Sequence, residues 1–249
     1  MTVVTLNRKE LEKKIGKITK EIEEKISMFG TTVESSNNEE IQIEVYPNRP
    51  DLLSLQGVSR ALYSYLEKPS MPQFKVNKPE KDYKIIVEKS LPKEWPYAVA
   101  CVVKGLKLNN ERIKEIIEIQ EKLGMTMLRK RKKGGIGLYP LDKIKFPIKF
   151  VGKKPEEIKF RPLEYPDSIT GRQILSKHPT GREYAHLCKD WEKFPIFIDD
   201  SNNIMSMPPI INSHDMGKIE ESTQDVFIEA TGNDLNKIQK TLTIIVTAL

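Results

Sequence analysis

Cysteine and histidine are scarce in this 249-residue chain, which has two cysteines, Cys101 and Cys188, and three histidines, His178, His186 and His214. Two thiols without metal-ligand spacing around them exclude a disulfide framework and a cysteine-bound zinc site, and read as reduced thiols of a cytosolic protein. The histidines form neither a zinc pattern nor a catalytic triad. No apolar run approaches the roughly 18–20 residues of a membrane span. The opening Met1-Thr-Val-Val-Thr-Leu-Asn-Arg8 lacks the apolar centre of a secretory signal. Repeats and low-complexity tracts are missing too, apart from a small loop at Ser35-Ser36-Asn37-Asn38. These absences point to a cytoplasmic chain with no membrane partner.

What is there is charge and enough length for two domains. Hydrophobic residues make up 38% and charged residues 31%, which fits a wet surface around modest cores. The net charge of +6 is unevenly spread. Residues 104–161 hold 17 lysines and arginines against 7 acidic residues, and residues 162–249 hold 8 against 13. A basic middle beside an acidic end suits a polyanion footprint, or a solvated surface with clustered charge.

Helical spacing of Leu11, Ile15, Ile18, Ile22 and Ile26 predicts one long helix or two short ones over 7–28, with Gly16 as the break. Ile41, Ile43 and Val45 alternate as in a strand. Asp51 is expected to cap a helix reaching Leu66. Residues 68–84, with Pro69, Pro72 and Pro79, read as a linker. Strands are expected at 84–88, 98–105, 135–139, 144–151 and 225–231. A helix capped by Asn109 shows Ile113, Ile116, Ile117, Gln120 and Leu123 on one face, and 170–187 reads as two short helices. A hairpin joins 195–198 to 203–207 around Asp199-Asp200-Ser201-Asn202. The last helix opens at Asn233 or Asp234 and carries its stripe to Leu249, which predicts a longer protein beyond that residue. The expected class is α+β, a small N-terminal α/β domain (1–78) followed by a larger mixed-sheet module with flanking helices (79–249).

Four stretches carry possible chemistry. Pro47-Asn-Arg-Pro-Asp-Leu-Leu-Ser54 reads as a strand-to-helix turn with a local Arg49–Asp51 ion pair. The cations Arg129, Lys130, Arg131, Lys132 and Lys133 repel one another, so the run must be solvated or set against a polyanion such as RNA. In Ile204-Met-Ser-Met-Pro-Pro-Ile-Ile-Asn-Ser213 an apolar strand ends at two prolines and carries Ser206 and Asn212, polar groups that need partners if buried. In Phe227-Ile-Glu-Ala-Thr-Gly-Asn-Asp234, alternation puts Phe227, Glu229 and Thr231 on one face. Gly232 allows a tight turn into the last helix, whose N–H groups can meet an oxygen ligand. A carboxylate, a hydroxyl and an aromatic floor can together read a tyrosine-like amino acid. A solvent-facing Glu229 is the plainer alternative.

Together these stretches, with Ile119-Gln-Glu-Lys-Leu, Leu141-Asp-Lys-Ile and Glu183-Tyr-Ala-His, resemble the beta subunits of phenylalanyl-tRNA synthetase of the archaeal/eukaryotic type, over essentially the whole chain. The resemblance implies an N-terminal domain followed by a tRNA-editing module that hydrolyses Tyr-tRNA(Phe) made in error. It implies tRNA(Phe) and an alpha subunit as partners, in an assembly of two alpha and two beta subunits. ATP and magnesium would belong to the synthetic site on the alpha subunit, with no cofactor in this fragment. By the same resemblance the catalytic pocket positions are Ser206, Glu229 and Thr231. Phe197, Asn212, Phe227, Gly232 and Tyr139 would contact substrate, and the run 129–133 would contact RNA. The chain departs from the family at Phe197, often leucine, at Glu229, often aspartate, and at Asn233, more usually threonine. It departs most at Tyr139-Pro140, where the family usually shows His-Asp. Three readings follow: an editing hydrolase, a tRNA-binding and subunit-interaction module without hydrolysis, or a purely structural part.

Overall fold

The computed structural model describes residues 2–66 and 73–249. By contact the chain divides into two units. One is built from residues up to Val76 with Lys114–Met127 and Thr243–Leu249, the other from Asn77–Ile113 and Leu128–Leu242.

The first unit opens with β1 (Thr2–Asn7), α1 (Arg8–Ile15), α2 (Lys20–Met28), β2 (Thr32–Ser36), β3 (Glu40–Val45) and α3 (Leu55–Leu66). The strands form an antiparallel sheet in the order β1-β3-β2. Val4 and Leu6 of β1 and Ile41, Ile43 and Val45 of β3 are buried, so both strands bury alternate residues. Neither β1 nor β2 is evident from sequence pattern, because β2 is Thr-Val-Glu-Ser-Ser and none of it is fully buried. Gly16, at φ 86°, separates α1 from α2 and settles the choice in favour of two helices. Asn7 and Thr19 cap them through their side-chain oxygens.

Asp51 is not the cap of α3. Its carboxylate takes both the Nε (3.0 Å) and an Nη (2.8 Å) of Arg49, the ion pair expected from the sequence. Ser54 caps α3 instead, accepting the Gly57 N–H at 3.1 Å. Of the linker expected over 68–84, residues 68–72 lie outside the described residues, and 73–84 carry no regular structure.

The second unit contains β4 (Ile85–Val87), β5 (Tyr97–Val103), the start of α4 (Asn110–Met125), β6 (Gly134–Pro140), β7 (Ile148–Lys153), β8 (Lys159–Phe160) and β9 (Ile169–Thr170). It continues with α5 (Gly171–Lys177), α6 (Pro179–Tyr184), β10 (Phe194–Ile198), β11 (Ile204–Met207), β12 (Ile211–Asn212), α7 (His214–Gly217), β13 (Val226–Gly232) and most of α8 (Leu235–Val246). A five-stranded mixed sheet runs β12-β11-β10-β7-β4, with only the β4–β7 pair parallel. A three-stranded antiparallel sheet runs β5-β13-β6. Strand alternation gives the larger sheet two apolar faces. Val151, Ile196, Ile198 and Met207 pack with Ile174 and Leu175 of α5 and Tyr184 of α6. Ile148, Phe150 and Phe197 face the other way, onto Tyr139 and Phe227 of the smaller sheet. The result is helices, sheet and sheet in three layers, an α+β arrangement.

Several boundaries move. β7 begins at Ile148 rather than 144, after the cis Phe146–Pro147 bond. On α4 the buried stripe is Ile116, Ile119 and Leu123, with Ile117 exposed. α8 ends at Val246, short of Leu249, and the Thr247 carbonyl accepts from the Arg60 guanidinium at 2.7 Å, a cation at a helix C-terminus. Among the described residues no helix is long and apolar enough to cross a membrane.

Candidate functional site

The site grows from two facing sheets. In the smaller one, β13 pairs with β6 so that Phe227 stands opposite Tyr139, Glu229 opposite Gly137 and Thr231 opposite Gly135. On its other side Val102, Ala100 and Ala98 of β5 complete the same rows. One face thus carries Phe227, Glu229 and Thr231, flanked at the last two by glycine and alanine only. In the larger sheet Phe197 is opposite Ser206, and Ser206 opposite Asn212. The Phe197 ring stacks on Phe150 at 4.5 Å between centroids.

Between these faces lies the side chain of Tyr139. Its hydroxyl donates to Ser206 Oγ at 2.8 Å and lies 3.3 Å from Glu229 Oε1 and 3.4 Å from Asn212 Oδ1. One phenolic proton serves these acceptors, and the shortest contact marks Ser206 as its main partner. Relative exposures are 0% for Tyr139, 1% for Ser206, 2% for Glu229 and 0% for Thr231. The Phe227 ring packs 5.9 Å from that of Tyr139. Gly137 is what admits this arrangement, because a Cβ there would collide with both the Tyr139 hydroxyl and Glu229 Oε1.

Glu229 is held as an acid. Burial drives its carboxyl up to about 8, against a smaller lowering by the Tyr139 hydrogen bond. Burial also raises the Tyr139 phenol well above its ordinary value, with the Glu229 carboxyl beside it adding to the effect. Glu229 Oε2 and Thr231 Oγ1 are buried without a hydrogen-bond partner among the described residues. The exposed-carboxylate alternative is therefore set aside: Ser206 Oγ and Glu229 Oε1 lie against the chain's own phenol, Tyr139, whereas Thr231 Oγ1 makes no hydrogen bond to it.

The remaining expected residues are placed as follows. Asn212 is half-buried and also donates to the Leu138 carbonyl at 3.4 Å. Gly232 does not turn the chain. It continues β13, and a side chain there would strike the Lys133 carbonyl, so the glycine permits close pairing with β6. The start of α8 finds its oxygen within the chain, since Asp234 accepts the Lys237 N–H at 3.1 Å. The five cations do not act alike. Arg129, Lys130 and Arg131 all have φ between 52° and 60°, a left-handed stretch that turns Arg131 inward. Its guanidinium donates to the carbonyls of Pro209 (3.2 Å) and Ile210 (2.9 Å) and lies 4.2 Å over the Tyr184 ring. Arg129, Lys130 and Lys132 are exposed and Lys133 is half-buried. Asn233 Nδ2 fastens the loop by donating to the Lys132 carbonyl at 3.2 Å. Sequence reasoning missed Gly137, although a glycine inside an apolar strand signals close approach.

Other chemistry finds little footing. Burial raises the Cys101 thiol to about 11 and the Cys188 thiol to about 12, so neither is a nucleophile at neutral pH. Among the described residues no cluster of three or more His, Cys, Asp or Glu could hold a metal ion. A cavity of about 770 Å³ beside Lys81, Tyr83, Lys104 and Phe146 is lined by none of Ser206, Asn212, Glu229 or Thr231.

Comparison with known proteins fits this architecture. The fold matches a crystal structure of an N-terminal fragment of the phenylalanyl-tRNA synthetase beta subunit from Pyrococcus horikoshii, with a TM-score of 0.90 and 34% identity over 99% of this chain and 73% of that one. The chain belongs to the phenylalanyl-tRNA synthetase beta-subunit family. The phenylalanine–tRNA ligase beta subunit of Methanosphaera stadtmanae is 37% identical over 248 residues, 98% of this chain and 44% of that protein. That of Pyrococcus furiosus is 42% identical over 203 residues, 81% of this chain and 36% of that protein. The chain thus spans less than half the length of these curated relatives. No family model matches it.

Proposed function

We propose that this chain is the tRNA-contacting, subunit-associating portion of a phenylalanyl-tRNA synthetase beta subunit, in which an editing-type site is present and hydrolytically silent. Residues 1–78 serve as its N-terminal domain and residues 79–249 as the module carrying the site. One observation carries the reading: the Tyr139 phenol lies fully buried on Ser206 and Glu229, the groups that would read the side chain of a mischarged tyrosine. A tyrosyl ester cannot use the same Ser206 and Glu229 oxygens while Tyr139 holds them. The exposed Arg129, Lys130 and Lys132 supply a phosphate-binding edge where β6 begins. The complete, cytoplasmic synthetase would pair this chain with an alpha subunit that binds ATP and magnesium and acts on tRNA(Phe).

The test is deacylation of Tyr-tRNA(Phe) by the complete synthetase. The expected rate is that of the uncatalysed ester, and clear hydrolysis above it would overturn the silent reading. The second reading, working editing, is favoured by the unpartnered Glu229 Oε2 and Thr231 Oγ1, which have capacity for a bound substrate or water. An ester bond to tRNA is activated, so a positioned water suffices without a nucleophilic side chain. In that case Thr231→Val slows the hydrolysis.

A further inference from the structure

We propose that Tyr139 is a substrate mimic held in cis. Its ring stands in a side-chain subsite, and removing the ring exposes a site that takes tyrosine in preference to phenylalanine. This rests on reading Ser206 and Glu229 as phenol-binding groups, and deepens that reading by assigning the Tyr139 ring itself to the side-chain subsite and making the opening of that subsite depend on one side chain.

The case is geometric. A buried tyrosine needs one hydrogen-bond partner. Tyr139 has three polar side chains within 3.4 Å, from β11, β12 and β13, and two further oxygens on the same face of β13, Glu229 Oε2 and Thr231 Oγ1, have no partner among the described residues. That is more polar capacity than one phenol uses, in a layer otherwise filled by Phe150, Phe197, Phe227 and Met205. The capacity is also ordered along one axis. Phe227 and Tyr139 mark the first row, Glu229 with Gly137 and Ala100 the second, and Thr231 with Gly135 and Ala98 the third. The exposed cations of the 129–133 loop follow directly, since Lys133 immediately precedes β6. At roughly 3.3 Å per residue, the second row lies about 13 Å from Lys133. That span accommodates a tyrosyl group whose ester end faces a tRNA backbone held by lysines and arginines. Glycine and alanine flank both of the nearer rows within their own sheet, Pro209 packs over Gly135 in the third, and Tyr139 is the large side chain set across the phenol-reading groups. It has that reach because Gly137, two residues earlier on the same face, leaves the floor empty for its hydroxyl.

The experiment measures binding of L-tyrosine and L-phenylalanine by calorimetry. It uses the 249-residue chain, Tyr139→Ala, and the double variant Tyr139→His with Pro140→Asp, which restores the pair usual in the family. Circular dichroism identifies the folded variants, and the double variant carries the test if Tyr139→Ala does not fold. The unaltered chain is expected to bind neither amino acid. The opened variants are expected to bind tyrosine at least about tenfold tighter than phenylalanine, because a site built to hydrogen-bond a hydroxyl rejects the analogue lacking it. Adding Ser206→Ala should abolish that preference. Tyrosine binding by the unaltered chain as strong as by the variants would overturn the proposal, as would a folded opened variant that binds neither amino acid or both equally. The two readings fail separately. Deacylation by the unaltered synthetase removes silence, whereas absence of tyrosine binding in an opened variant removes the subsite and leaves silence intact.

Discussion

Glu229 is a carboxyl that the fold keeps neutral, and this has a measurable consequence. A neutral Glu229 has no charge to desolvate, which is how it can sit at 2% exposure beside a phenol with only Oε1 facing a partner. Its folded-state value is raised to about 8, above an unfolded value of about 4.3. The unfolded chain therefore releases this proton first. Its contribution to stability is complete below about pH 4.3 and falls as pH rises toward 8, by up to about 1.4 kcal/mol per pH unit. Glu229→Gln keeps the shape and removes the titration. Urea unfolding at several pH values should show the Gln variant gaining on the unaltered chain between about pH 5 and about pH 8. Parallel profiles would mean that Glu229 ionises freely in the folded protein. Tyr139→Phe probes the same cluster from the other side. It leaves Ser206 Oγ and Glu229 Oε1 buried without the phenol, and should cost about 1–3 kcal/mol of unfolding free energy in the same assay.

At the scale of elements, the loop 126–133 divides labour that its composition conceals. Arg131 supplies donors to two carbonyls and a cation over Tyr184, whereas Lys130 is exposed. Arg131→Ala should destabilise the fold by about 1–3 kcal/mol, through carbonyls left unpaired and a lost ring contact. Lys130→Ala should leave stability unchanged, weaken tRNA binding, and lower the salt dependence of that binding by about one phosphate contact. Thermal unfolding and salt-titrated binding separate the two. The sequence shows five like charges in a row, but three successive left-handed residues aim them, and no glycine marks that turn. An element with strong internal alternation, such as β3, is legible without a structure. β2 is not, because its polar strand depends on β3 for pairing. The shared face of Phe227, Glu229 and Thr231 follows from periodicity alone, but the opposition of Phe227 to Tyr139 depends on register between strands far apart in sequence. Ser206 and Asn212 join that face only when a second sheet packs over the first.

At the scale of the whole molecule, a closed site shifts the burden of accuracy. A synthetic pocket shaped for phenylalanine must reject tyrosine, which merely adds a hydroxyl, and an apolar pocket achieves only about 10²-fold discrimination against such an addition. A relative with a working second site would remove the tyrosyl ester afterwards. A synthetase built around this chain, with Tyr139 on Ser206 and Glu229, has no such removal step under the silent reading. Charging reactions supplied with tyrosine and no phenylalanine should therefore accumulate stable Tyr-tRNA(Phe), lost only at the rate of spontaneous ester hydrolysis. Replacing Tyr139-Pro140 by His-Asp in the complete enzyme provides the internal comparison. If the plug is what silences the site, mischarged tRNA falls in that variant while charging with phenylalanine is unchanged. If Tyr-tRNA(Phe) fails to accumulate with the unaltered enzyme, measuring ATP consumption decides the cause. Consumption without product means that the ester is formed and destroyed, so the site works with Tyr139 in place. No consumption means that the synthetic pocket rejects tyrosine at the first step, and a silent second site then carries no penalty in accuracy.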